Sequence, residues 1–310
     1  MVAIASITMN PAVDVSTTAP GIAPTVKIRC SEPHVQAGGG GINVARVATR
    51  FGAEALALFT AGGPNGDHLS KLLKDEGVPI EPIPIAADTR ESLTVTEATS
   101  GDQYRFVFPG PTISPEEEKR VLAAVDALAA PPFLVVSGSL PSGLSAGFLA
   151  TLAERAAATG AKLVVDGPAP VVKASRGAFL VKPNITELED IVGAPLPDDG
   201  ARVGAARRLI EQGISTIVLI SLGSDGALLV SDDAARLYTS PPVDLVSAVG
   251  AGDSMVGGLL VGLAHGASLE DAVAMGVAAG AAAILTPDTE LCRPEDARRL
   301  LADVTSKPVA

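Results

Sequence analysis

Short runs of consecutive apolar residues alternate along the chain with stretches in which apolar positions recur every third or fourth residue. The first pattern suits buried strands and the second amphipathic helices. Strands are predicted over residues 3–8, 56–60, 133–136, 163–166, 179–181, 216–220 and 227–230. Helices are predicted over 42–51, 68–76 (stopped by Gly77), 116–130, 146–158, 187–192 and 201–212, with apolar helices after Asp253. Apolar strands between helices predict a layered α/β domain with a mostly parallel sheet, whose ligands sit beyond the carboxyl ends of the strands. Residues 12–35 break the alternation, and Pro20, Pro24 and Pro33 exclude a long helix there. Residues 92–97 and 103–108 read as a hairpin around Ser100-Gly101-Asp102. The expected organisation is one unit, with a large α/β part over 1–11, 36–85 and 110–310. A small β lid is expected over 12–35 and 86–109.

Composition narrows the partners. The 310 residues are 47% hydrophobic and 19% charged, which describes a globular chain with a large core. A net charge of −12 argues against non-specific nucleic-acid binding, since a phosphate backbone needs a basic face. Cys30 and Cys292, with His34, His68 and His265, show no metal-ligand spacing. The first residues read as a strand and no apolar run has membrane-spanning length, so a cytoplasmic protein is expected.

The richest chemistry lies near residue 250. A short apolar run gives way to Gly250-Ala251-Gly252, and an apolar helical pattern starts after Asp253. Glycines let the backbone approach a ligand, and the unpaired N–H groups of a helix start attract anions. A carboxylate at such a lip repels an anion, yet it suits a base that deprotonates a hydroxyl attacking that anion. The competing reading is that Asp253 only caps the helix.

Other motifs also fall at strand ends. In Lys182-Pro-Asn184-Ile-Thr-Glu187, Lys182 could meet a phosphate, and Asn184 and Glu187 could hold hydrated Mg²⁺; a Pro-started helix with Glu in its first turn explains the same residues. Ser221-Leu-Gly223-Ser-Asp-Gly226 could admit a flat nucleotide or be an ordinary turn. Arg90, Ser92 and Arg105 lie on the lid, where two arginines could clamp a phosphate or simply be solvated. No Walker A loop is present. Gly143-Leu-Ser145-Ala-Gly147 has the form of a nucleophile elbow, but the strand before it ends too early, and Ser145 reads as a helix N-cap.

Taken in order, the motifs are Asn10-Pro-Ala-Val-Asp14, Gly38-Gly-Gly-Gly-Ile-Asn43-Val-Ala-Arg, Ser137-Gly-Ser-Leu-Pro141, Lys182-Pro-Asn-Ile-Thr-Glu187, Ser221-Leu-Gly223 and Val249-Gly-Ala-Gly-Asp253-Ser. Together they resemble the ribokinase-like PfkB family of sugar kinases from end to end. Gln103-Tyr-Arg-Phe-Val-Phe-Pro-Gly110 is most similar to its bacterial minor 6-phosphofructokinase branch. The resemblance implies a three-layer α/β/α fold with a β-sheet lid. It implies ATP-dependent phosphorylation of the C1 hydroxyl of fructose 6-phosphate, with Mg²⁺ accompanying ATP. Related activities on fructose 1-phosphate or tagatose 6-phosphate share the fold and base; Arg105 favours the first. A non-catalytic sugar-phosphate or nucleotide sensor on the same fold is the rival class.

Carried over residue by residue, the resemblance makes Asp253 the base and Gly250, Ala251 and Gly252 the anion hole. Asp14, Gly38, Gly39, Asn43, Arg90, Ser92, Arg105 and Ser139 would bind the sugar phosphate. Lys27 would reach across a homodimer paired through its lids. Lys182, Asn184, Glu187, Ser221, Gly223, Gly226, Ala279 and Gly280 would bind ATP, with Glu187 meeting Mg²⁺ through water. Ser247, Val249 and Ala283 match a potassium site found in some members. Thr286, Asp288 and Glu290 stand where the related enzyme has Asn, Gly and Arg, which leaves potassium dependence open.

Overall fold

The computed structural model describes residues 2–287 and 290–309. Its strands and helices follow in chain order as β1 (Ile4–Thr8), β2 (Ala12–Ala19), β3 (His34–Gly38), α1 (Gly40–Arg50), β4 (Ala55–Ala61), α2 (Gly63–Asp75), β5 (Ile80–Pro84), β6 (Arg90–Glu97) and β7 (Gln103–Val107). Then come α3 (Pro115–Asp126), β8 (Phe133–Ser137), α4 (Phe148–Thr159), β9 (Lys162–Asp166), α5 (Ala169–Ala174), β10 (Ala178–Val181), α6 (Ile185–Val192), α7 (Asp199–Glu211) and β11 (Ser215–Ser221). The chain closes with β12 (Ala227–Val230), β13 (Ala235–Thr239), α8 (Ala251–Ala264), α9 (Leu269–Ile284), α10 (Pro294–Leu301) and β14 (Thr305–Pro308).

A 10-stranded sheet in the order β14-β13-β12-β11-β10-β9-β8-β1-β4-β5 forms the middle layer. From β5 to β11 the strands run parallel, and β12, β13 and β14 are added antiparallel at one edge. Alternation on each strand builds two cores. Phe133 and Val135 of β8 join the layer that holds α1, α8 and α9, while Leu134 and Val136 join the layer of α3, α4 and α7. This is the expected three-layer α/β/α arrangement.

A separate 4-stranded sheet, β3-β2-β6-β7, is the lid. Its β2 and β6 are parallel neighbours with Asp14 opposite Ser92. The order of strands in the main sheet reverses at β1, which lies between β4 and β8. Chain leaving β1 carries Asn10 and Asp14, and chain leaving β8 carries Ser139, so both reach the crevice where α/β sheets bind ligands.

Several boundaries differ from expectation. The helix predicted at 68–76 starts at Gly63, where Gly62 and a proline in the first turn open it. Ser145 is not an N-cap: α4 starts three residues beyond it, with Gly147 at the cap position. The Ser145 hydroxyl instead donates to Glu118 at 2.5 Å, which also removes the nucleophile-elbow reading. No helix among the described residues is long and apolar enough to cross a membrane.

Candidate active site

Gly250 precedes α8 with φ of 76°, a left-handed turn that glycine adopts without strain. That turn swings the chain from the 248–250 segment into the helix. The amides of Gly250 and Gly252 have no protein acceptor among the described residues. Asp253 does not cap the helix. It lies inside the first turn, and its Oδ2 accepts a hydrogen bond from Asn43 Nδ2 at 2.8 Å. Burial pushes its pKa up to about 7, and the charges of Asp166 and Asp14 add to the rise, while Asn43 and Lys182 oppose it.

The α8 turn separates two hollows. On one side a cavity of about 720 Å³ is lined by Asn184, Ser221, Gly223, Gly226, Gly280, Ala248, Ala251 and Gly252. Residues 240–243, Leu245, Met255, Val277 and Ile284 complete its mostly apolar wall. Loops at two strand ends shape it: Asn184, beyond β10, bridges to Ser221 at the end of β11, and Gly226 closes the 223–225 turn. On the other side a smaller hollow is lined by Asp14, Ser92, Arg105 and Val249.

Asp14 fills the space of the side chain that Gly38 lacks. Burial raises its pKa, against the pull of Arg90 and Arg105. Arg90 donates to the Asn10 carbonyl through Nη2 at 3.2 Å, and Asn10 Nδ2 donates to Ser139 Oγ at 3.0 Å. Gly39 is the N-cap position of α1, which aims Asn43 inward. Lys27 stands exposed on the lid loop and lines neither hollow.

Lys182 is buried and paired with Asp166 at 3.1 Å, next to Gly252. Burial alone would depress the ammonium, but Asp166, Glu187 and Asp253 around it hold its pKa above the ordinary value. Asn184 and Glu187 form a reciprocal capping box at 2.8 Å in each direction, so the helix-start reading of these residues is realised as well. Glu187 Oε1 keeps no protein partner among the described residues. No cluster of three metal-ligating side chains occurs among the described residues.

Ala279 is buried within α9 and does not line the nucleotide-sized cavity, unlike its neighbour Gly280. Val249 N–H donates to Ser247 Oγ at 3.3 Å, and the amide of Ser247 donates to the Ile284 carbonyl at 3.2 Å. That brings Ser247 and Val249 beside Ala283. The Ala283 carbonyl accepts from the Thr286 hydroxyl at 2.7 Å and its amide at 3.2 Å. Asp288 lies outside the described residues.

The model of the pfkB family of carbohydrate kinases matches residues 1–296. The chain belongs to this family. It is similar to ATP-dependent 6-phosphofructokinase isozyme 2 of Mycobacterium tuberculosis (strain ATCC 25618 / H37Rv), 44% identical over 298 residues, or 96% of this chain and 88% of that one. The corresponding isozyme of Escherichia coli (strain K12) is 41% identical over 307 residues, covering 97% and 99%. The solved structure of Escherichia coli phosphofructokinase-2 in complex with potassium superposes with a TM-score of 0.92 at 39% identity, covering 98% and 99%. This pfkB chain is an ATP-dependent sugar-phosphate kinase of the phosphofructokinase-2 type.

Three parts of the site were not foreseen. Asp166 pairs with Lys182, and its position at the end of β9 was the available signal. Asn10 and Arg46 sit inside quoted motifs yet carried no assigned role. The proline-rich wall at 240–245 has no motif of its own and becomes visible only where it folds over α9.

Proposed function

We propose that this kinase transfers the γ-phosphoryl group of ATP to the C1 hydroxyl of fructose 6-phosphate, giving fructose 1,6-bisphosphate. One observation carries the reading: Asp253 stands at a turn whose Ala248, Ala251 and Gly252 face the large cavity while Val249 faces the lid hollow. The former has room for ATP, and the latter, about 30 Å³ in this form, presents Asp14, Ser92 and Arg105 as the groups that would meet a sugar phosphate once the lid opens to admit it. Asp253 takes the proton of the attacking hydroxyl, and a pKa of about 7 suits that transfer near neutral pH. The free amides of Gly250 and Gly252, with that of Ala251, stabilise charge on the phosphoryl oxygens in flight, and Lys182 adds its ammonium beside Gly252.

Asp14, Gly38, Gly39 and Asn43 hold the sugar hydroxyls, while Arg90, Ser92, Arg105 and Ser139 hold its phosphate. Asn184, Glu187, Ser221, Gly223, Gly226 and Gly280 form the nucleotide side. Magnesium bound with ATP neutralises phosphate charge, and Glu187 would hold it through water. A monovalent cation would be held by oxygens at Ser247, Val249 and Ala283; Thr286 already occupies the Ala283 carbonyl, and no step is assigned to it.

We propose the partition stated from sequence, with the large part over 1–11, 36–85 and 110–310 and the lid over 12–35 and 86–109. We also propose a cytoplasmic homodimer. Strand β7 is exposed along its length, and Tyr104, Phe106 and the following Phe108 alternate onto one side of it, giving the lid an apolar face that a second copy would cover. Lys27 would then reach the partner's site.

The test is ADP release from Mg-ATP with fructose 6-phosphate, fructose 1-phosphate and tagatose 6-phosphate offered separately. Turnover of the first at least ~10-fold above the others is expected. A preference for either of the others keeps the mechanism and changes the substrate. ATP binding with no ADP from any of them would favour a sensor.

A further inference from the structure

Arg46 is the largest side chain buried almost completely, at 1% exposure. Nothing in the phosphoryl transfer above uses it. Its guanidinium is gripped from one end by Glu76, with Nε at 3.0 Å from Oε2 and Nη2 at 2.9 Å from Oε1. At the other end Nη1 donates to the Ala37 carbonyl at 2.9 Å and to Asn43 Oδ1 at 3.1 Å. Asn43 and Arg46 are three residues apart on α1 and therefore share a face. The Asn43 amide thus lies between a group that only donates and a carboxylate that, when ionised, only accepts. A single orientation satisfies both: Oδ1 toward Arg46 and Nδ2–H toward Asp253. The flipped amide would set N–H groups against the guanidinium and an oxygen against the carboxylate.

We propose that Arg46, clamped by Glu76, is a positioning residue for the base: it locks the Asn43 amide so that Nδ2–H stays on Asp253. This rests on Asp253 acting as the base. The buried guanidinium is expensive to desolvate, and stability alone does not call for it, since an apolar side chain of similar volume commonly serves as well. Because the same guanidinium holds Ala37 on lid strand β3, the lid's inner edge is tied to the base through one side chain. Asp253 is also faced by Lys182 after β10, Asp166 at the end of β9 and Asp14 on β2, none of which belongs to the relay.

The experiment compares Arg46→Met, Arg46→Lys and Glu76→Ala with the parent enzyme, each also in an Asn43→Ala background. It records kcat, both KM values, the acid limb of the kcat–pH profile and thermal unfolding. Loss of the locked amide removes a donor that favours the carboxylate, so the acid limb moves up by ~0.5–1 pH unit. A fall in kcat of about 10- to 100-fold accompanies it, with KM for ATP nearly unchanged. Arg46→Lys keeps the charge but cannot span Glu76, Ala37 and Asn43, so it shifts the limb as Arg46→Met does. In the Asn43→Ala background the Arg46 substitutions add little.

A limb restored by lysine would mean a bare charge effect and would overturn the proposal, as would a limb that stays fixed while kcat falls with thermal stability. Full additivity with Asn43→Ala would overturn it too. Glu76→Ala, whose partner Arg46 stays in place, gives the same readout from the outer end of the relay should Arg46→Met fail to fold. Asp253→Asn separates the two levels: retained turnover there defeats the assignment of the base, whereas lost turnover with a fixed limb in the Arg46 variants defeats the relay alone.

Discussion

Asp253 ties together most of the local physics of the site. Replacing it with Asn keeps the shape and removes the proton acceptor, so turnover should fall ~10³- to 10⁴-fold while sugar-phosphate binding, read by calorimetry, survives. Near-normal turnover would contradict the assignment. In the parent enzyme, kcat should fall as pH drops through about 7, where Asp253 takes up a proton. The same shift affects stability. A carboxyl whose folded pKa lies above its unfolded value binds more protons when folded, so its contribution falls as pH rises from about 4 to about 7 and stays unfavourable above. At pH 8 the Asn variant should therefore unfold a few degrees higher than the parent in calorimetry, by about 1–2 kcal/mol. A lower melting temperature would mean that the Asn43 hydrogen bond outweighs desolvation.

At the scale of elements, the turn from β11 to β12 shows how backbone shape makes the large cavity that we assign to nucleotide. Gly226 has φ of 105°, and a Cβ there would fall 2.0 Å from the Tyr238 carbonyl oxygen. Gly226→Ala must push β13 and the 240–245 wall away. KM for ATP should rise at least ~10-fold while KM for the sugar phosphate changes little, and stability should fall by about 2 kcal/mol. Equal rises in both would place the damage elsewhere.

The same region marks where sequence reading ran out. The motifs at strand ends were legible because β1, β8, β10 and β11 are apolar runs that stop abruptly at glycine, proline or polar residues. Edge strands were not: β14 is Thr-Ser-Lys-Pro and exposed throughout, and β5 is Ile-Glu-Pro-Ile-Pro with two prolines. Neither has the apolar run of a central strand, because a sheet edge has only one neighbour to pack against. Residues proposed to contact ligand carried motif signals, whereas Asp166 and Arg46 touch other side chains and leave only an ordinary-looking residue in the chain.

At the scale of the whole molecule, the lid is a second sheet whose inner strands carry Asp14 and Ser92 and whose outer strand β7 is exposed. A lid-paired dimer buries that strand. Phe106→Asp should then convert the enzyme to monomer in sedimentation velocity and raise KM for the sugar phosphate, since Lys27 would lose its place. An unchanged sedimentation coefficient would remove the lid from the interface. The lid also bears on how the molecule can be watched. The chain has no tryptophan and two tyrosines. Tyr104 is exposed on β7, while Tyr238 is buried in β13 beside the turn at Gly226. Ultraviolet emission excited at the phenol band therefore reports from two places only, one outside on the lid and one inside beside the nucleotide wall. Replacing either tyrosine by phenylalanine leaves a single native lamp, so lid covering and nucleotide entry become separately visible without any added dye.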